Sequence, residues 1–181
     1  MSKEKVTKEQ IKYPENQEPD LIIPSDYQPY RFILGKKGNN PLIAVCMNPS
    51  TAREEFSDRT INTVIRTAEK LGYDGWVVVN MYPERATDAN NMESFDEKLH
   101  QENIKEIATL IDKFDIKQLW GAWGNLSHKN LVKAKPDLIK LLFDKNVKVF
   151  HFGKLLKSGN PHHPLYLKID KKKMREMKIN V

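Results

Sequence analysis

Three residues stand where their chemistry could engage a flat, polar heterocycle: Asn48, Asn80 and His163. Asn48 and Asn80 each follow directly on an apolar run, over residues 42–47 and 76–79. A side-chain amide offers both a donor and an acceptor, the pair needed to read a nucleobase edge. An asparagine ahead of a proline also turns a chain end well, so either residue alone favours a local turn. His163 lies in Gly159-Asn160-Pro161-His162-His163-Pro164-Leu165-Tyr166, which its prolines and glycine make stiff and irregular. A histidine held there suits a preorganised donor; the plainer reading is a surface loop with incidental histidines. A metal site from His151, His162 and His163 would match no standard ligand spacing. Cys46 is the only cysteine, so this chain alone supplies neither an internal disulfide nor a cysteine-based metal centre.

The elements that must position these residues alternate along the chain. Residues 42–47, 76–79, 116–120 and 147–152 read as strands, with a further short candidate at 30–34 followed by a turn over 35–40. Ile61, Val64, Ile65, Ala68 and Leu71 recur at helical spacing ahead of Gly72, a natural C-cap. Ile104, Ile107, Ala108 and Ile111 mark a second helix, and His100, in the polar run before it, is expected at the surface. A third helical stretch covers 127–143, with Pro136 either interrupting it or starting another helix. Strand–helix–strand repeated three times predicts a three-layer α/β/α fold around a mostly parallel four-stranded sheet. In such sheets ligands bind beyond the carboxyl ends of the strands, where Asn48, Asn80, the Gly121-Ala122-Trp123-Gly124 segment and the loop over 153–166 all fall. Residues 1–20, charged and holding Pro14 and Pro19, read as a loose arm, and residues 21–181 as one domain with a basic tail.

The formal charge of +6 is uneven. Residues 128–181 hold 14 Lys/Arg against 4 Asp/Glu, a net +10, which leaves −4 on the preceding 127 residues. Such a field attracts polyanions, although lysine-rich solvated surfaces are also common. No apolar run has the roughly 20 residues of a membrane helix. The first ten residues lack the apolar region of a secretory signal, so a cytoplasmic address is expected.

Taken in order, the motifs resemble those of the uracil-DNA glycosylase superfamily. Cys46-Met47-Asn48-Pro49-Ser50 looks like its first motif, in the Asn-Pro form of the mismatch-specific and single-strand-selective branches. Val77-Val78-Val79-Asn80 looks like the strand whose terminal asparagine reads the base. The run from Leu119 through Trp123-Gly124 to Ser127-His128-Lys129 is similar to the strand and helix start that follow. His163-Pro164-Leu165 looks like the closing His-Pro motif. The resemblance spans roughly residues 42–167. A fuller set adds Tyr30-Arg31-Phe32, Thr51-Ala52, Asp58-Arg59-Thr60, Arg85-Ala86-Thr87-Asp88 and Tyr166. It resembles an uncharacterised bacterial and phage family known only as a domain of unknown function.

The superfamily resemblance implies a metal-free, cofactor-free hydrolase that cleaves the N-glycosidic bond of a damaged or modified base in DNA. Asn80 would read the base, His163 would stabilise it as it leaves, and Asn48 would orient the attacking water. Ser50 stands where the main uracil-specific branch has a bulky aromatic, which implies a pocket that admits 5-substituted pyrimidines. Phe56, Tyr82 and Trp123 are the stacking candidates, with core packing as the other reading of Trp123. Arg85, Ser127, Lys129 and Tyr166 are the candidate phosphate contacts. Thr87 or Asp88 would equally serve as a helix cap, and Asp58 reads as a helix N-terminal acid. Two alternatives remain open: a non-catalytic nucleic-acid or nucleotide-binding module on the same fold, and an enzyme acting on free nucleotides.

Overall fold

The computed structural model describes residues 10–181. Seven strands form one mixed sheet: β1 (Leu21–Ile23), β2 (Ile33–Lys36), β3 (Pro41–Cys46), β4 (Gly75–Asn80), β5 (Gln118–Gly121), β6 (Lys148–Phe152) and β7 (Met174–Met177), in the order β1-β2-β4-β3-β5-β6-β7. The four central strands β4-β3-β5-β6 are mutually parallel, whereas β1, β2 and β7 join antiparallel. The expected four-stranded, mostly parallel sheet is therefore too small. The long apolar runs supply its parallel centre. The edges come from short segments with weaker patterning, and the 30–34 candidate forms its strand later, at Ile33–Lys36.

Three helices cover the sheet: α1 (Arg59–Leu71), α2 (Glu97–Lys113) and α3 (Lys129–Asp144). Strand alternation sorts the core into two layers. Leu42, Ala44, Trp76, Val78 and Trp120 pack against Ile61, Val64, Ile65 and Ala68 of α1. Ile43, Val45, Val77, Val79 and Leu119 pack against Ile107, Leu110 and Ile111 of α2 and Leu131, Leu138 and Leu142 of α3. The chain steps from β3 to β4 over the α1 face, then reverses and steps to β5 and β6 over the opposite face. Reversing direction and face together keeps one crossover hand throughout. The strand order therefore switches between β3 and β5, where a doubly wound sheet opens a crevice at its carboxyl end.

Local chemistry sets the helix ends. Asp58 caps α1, its carboxylate accepting from the Ile61 N–H at 2.9 Å, and Gly72 closes the helix at φ 81°. Asp96 caps α2 in the same way, through the Leu99 N–H. Pro136 neither interrupts α3 nor starts a new helix: the helix runs continuously through it. Val132, whose carbonyl loses its partner there, is exposed, so water can replace the missing bond. His100, expected at the surface, is buried in the first turns of α2, with Nε2 2.8 Å from Asp137 of α3.

Of the arm expected over 1–20, residues 1–9 lie outside the described residues. Beyond them Tyr13 is buried, stacks on Trp76 and donates to the Arg53 carbonyl. The basic segment at the C-terminal end is used as an edge strand: β7 pairs with β6, and Glu176 meets Lys148 at 3.3 Å. Lys171, Lys172, Lys173, Arg175 and Lys178 are exposed. No helix among the described residues is long and apolar enough to cross a membrane.

Candidate functional site

A cavity of about 510 Å³ opens at the carboxyl end of the parallel strands, on the α1 side of the sheet. That size falls within the roughly 300–1,000 Å³ of typical small-molecule sites. Asn48, Asn80 and His163 all line it, although they come from three distant segments. Buried Arg31, Cys46, Ile61, Val78 and Asn80 form its inner wall. Exposed Leu165 and Tyr166 stand at its outer margin.

Asn80 is the last residue of β4, paired in register with Cys46 of β3. Strand alternation turns both toward α1. Its backbone carbonyl accepts from Nδ2 of the buried Asn103 on α2, at 3.0 Å. Its own Nδ2 is buried and meets no acceptor in the protein among the described residues. A buried amide donor left unpaired costs about 1–3 kcal/mol, so this atom is poised for an acceptor on a ligand.

Asn48 is fixed differently. Its Nδ2 donates to the Pro49 carbonyl at 3.0 Å and to the Ala86 carbonyl at 2.7 Å. With both amide hydrogens engaged, the side-chain oxygen is its remaining function. Backbone bonds stitch the same loop to the segment after β4: Met81 N–H to Cys46 O, Tyr82 N–H to Met47 O, and Ala86 N–H to Pro49 O. The Arg85-Ala86-Thr87-Asp88 element thereby acquires a structural account. Ala86 clamps Asn48, and Asp88 caps the short turn Ala89–Asn91 through the Asn90 N–H.

His163 opens the turn Pro164–Tyr166 and accepts, through Nδ1, from the Leu165 N–H at 3.4 Å. This contact favours the tautomer with the proton on Nε2, leaving a neutral N–H donor. Burial holds the imidazole below its ordinary pKa of 6.5, partly offset by the Asp58 carboxylate. Gly124, at φ 64°, passes so close that an added Cβ would lie 3.0 Å from His163 Cβ. Behind it Trp123 donates from Nε1 to Asn160 Oδ1 at 3.1 Å, tying the His163 loop to the core.

The remaining candidates divide. Ser50 and Tyr166 line the cavity. Phe56 does not; it borders a separate surface hollow with Arg53 and Thr51. Tyr82 and Trp123 do not stack in the cavity either. Both are fully buried in the layer facing α2 and α3, Tyr82 against Phe95. Arg85 is outside the lining and spends its guanidinium on the carbonyls of Gln28, Ser50 and Ala52. Ser127 and Lys129 are exposed at the start of α3, away from the lining residues. His151, His162 and His163 are not gathered around a common point, and among the described residues no three His, Cys, Asp or Glu could share an ion.

Arg31 and Asp58 are the charged residues of the lining. Arg31 was legible only as one charge inside the run Tyr30-Arg31-Phe32. The supporting Asn103 was legible only as a polar residue beside the apolar face of α2. Asp58 is both the α1 cap and, among the described residues, the only carboxylate on the cavity wall.

No curated protein and no solved structure matches the chain. A family model described as "protein of unknown function (DUF1643)" matches residues 31–165, a span that contains Arg31, Asn48, Asn80 and His163. With three quarters of its length inside that match, the chain belongs to the DUF1643 family.

Proposed function

We propose that this protein is a DNA glycosylase-like hydrolase, related in plan to the uracil-DNA glycosylase superfamily, that cleaves the N-glycosidic bond of a damaged or modified base. The observation that carries this reading is the convergence of Asn48, Asn80 and His163 on one cavity at the strand switch point.

In this reading the target nucleotide leaves its stack and enters the cavity base first. The unpaired Asn80 Nδ2 donates to a carbonyl of the base. The Asn48 oxygen, left over once both amide hydrogens are engaged, accepts from a water and holds it beside C1′. As the C1′–N bond breaks, its electron pair moves onto the base, and the His163 Nε2–H donates to the oxygen where that charge gathers. The water oxygen bonds to C1′ and its proton passes to solvent or to Asp58. An amide is no general base, so the asparagine form relies on positioning and on His163. Ser50, smaller than an aromatic, leaves room for a substituent at the pyrimidine 5 position.

The test uses single- and double-stranded oligonucleotides carrying uracil, hypoxanthine or 5-modified pyrimidines, followed by alkali to break abasic sites. The wild type is expected to yield breaks at the modified base. Asn48→Ala and His163→Ala should each lower the rate by about 100-fold or more. Breaks undiminished in both variants, or none with any substrate, would remove the reading.

A further inference from the structure

Arg31 is 2% exposed and lines the inner cavity wall together with Cys46 and Asn80. Its only side-chain hydrogen bond among the described residues runs from Nη1 to the Ala52 carbonyl, at 2.5 Å. Nε is buried and has no partner. The Nε–Nη2 edge, the side of the fork that takes a carboxylate or phosphate with two prongs, thus makes no hydrogen bond to the protein among the described residues.

The charges nearby make the deficit sharper. Arg85 Nη1 approaches the same Ala52 carbonyl at 3.4 Å, so two guanidinium groups converge on one neutral oxygen. Neither forms an ion pair among the described residues. Asp58, on the same wall, spends one oxygen on the Ile61 N–H at the start of α1, and its charge offsets that of Arg31 only in part, without a direct ion pair. Burial and the neighbouring Arg85 depress the Arg31 pKa only to about 10, which leaves it charged at neutral pH. A buried charge without a partner is strongly unfavourable, and an anion entering the cavity relieves it. The N-terminus of the 13-residue α1, with Thr60 and Ile61 on the same wall, adds a favourable dipole.

We propose that the cavity selects ligands carrying an oxyanion, a carboxylate or a phosphate, on the end that enters first, and that Arg31 is the residue receiving it. This proposal does not rest on bond cleavage: an inactive protein that prefers such ligands would satisfy it.

Calorimetric titration at fixed ionic strength of the wild type with matched pairs decides the matter. The pairs are uracil-6-carboxylate against uracil, and deoxyuridine 5′-monophosphate against deoxyuridine, with inorganic phosphate as a separate probe. At least one charged member is expected to bind roughly 10-fold or more tightly than its neutral partner, the strength of a hydrogen bond to a charged group. Preference confined to the carboxylate pair assigns the oxyanion to the base; preference for the monophosphate or phosphate assigns it to a phosphoryl group. Arg31→Gln should erase the preference, and Arg31→Lys, which keeps charge without the planar fork, should reduce it. Circular dichroism checks that each variant folds, and if Arg31→Gln does not, the wild-type pairs and Arg31→Lys suffice. Equal affinities within both pairs, no uptake of any charged probe, or a preference that survives in a folded Arg31→Gln protein would overturn the proposal. Failure of base excision beside a clear oxyanion preference would remove the glycosylase reading alone.

Discussion

At the scale of residues, the three central side chains are held by different means, and each means predicts a different response to substitution. Asn48 donates to two backbone carbonyls. An aspartate there has no hydrogen to give and would set a carboxylate against both oxygens. Asn48→Asp should therefore destabilise the protein by about 2 kcal/mol, two lost hydrogen bonds, in urea unfolding. An unchanged midpoint would mean that the clamp is not formed. His163 gives a pH signature. Its folded pKa is lowered by burial, so below 6.5 the unfolded chain binds the proton more readily than the folded one. Its contribution is fully present above pH 6.5 and is lost as pH falls toward the lowered value. Thermal stability should decline through that window, and His163→Asn should flatten the decline in part. His151, also lowered chiefly by burial, accounts for a share that persists. The sequence made Asn48, Asn80 and His163 legible because each follows a strong breaker or strand-end signal. It misplaced Phe56 and Tyr82 and left Trp123 open between cavity and core, where it packs, since an aromatic near a strand end reads alike in either setting. Arg31 and Asn103 escaped notice because a polar residue in an apolar setting becomes informative only once its burial and its partners are known.

Among the elements, the four parallel strands and three helices were legible, as their apolar periodicities are long and of two distinct kinds. Strands β1, β2 and β7 were not, or only loosely: each has three or four residues, and β1 and β7 are at most half-buried, so alternation has little room to show. Helix α3 overrode its proline because the exposed face at Val132 tolerates an unpaired carbonyl. The link from β5 to α3 carries the sharpest prediction at this scale. Gly124 combines a positive φ with a 3.0 Å approach to His163. Gly124→Ala should lose about 1–2 kcal/mol from backbone strain and push the imidazole outward. A displacement of 1 Å costs roughly 100-fold in rate. If the protein excises bases as proposed, excision kinetics should thus suffer far more than thermal stability, and equal losses in both would point to general misfolding instead.

For the molecule as a whole, charge and sheet architecture act together. The net +10 over residues 128–181 is spread over α3, the His163 loop and the stretch around β7, where Lys171, Lys172, Lys173, Arg175 and Lys178 are exposed. If nucleic acid binds these basic residues, its affinity should fall linearly on a log–log plot against salt, with a slope near −0.7 per phosphate contacted for single strands. Fluorescence anisotropy with an unmodified oligonucleotide would measure it, and a flat line would reduce these lysines to a solubilising coat. The family match stops at residues 31 and 165, so β1 and β7, the outermost strands on opposite sides, both lie outside it. They flank a five-strand unit that holds the whole cavity lining except Tyr166. Stripped of them, β2 and β6 would each present a bare row of amide and carbonyl groups, an open template for pairing with another copy. Shortening this chain to its matched segment would exchange two short, little-buried edges for two better-patterned ones, prone to stacking edge to edge.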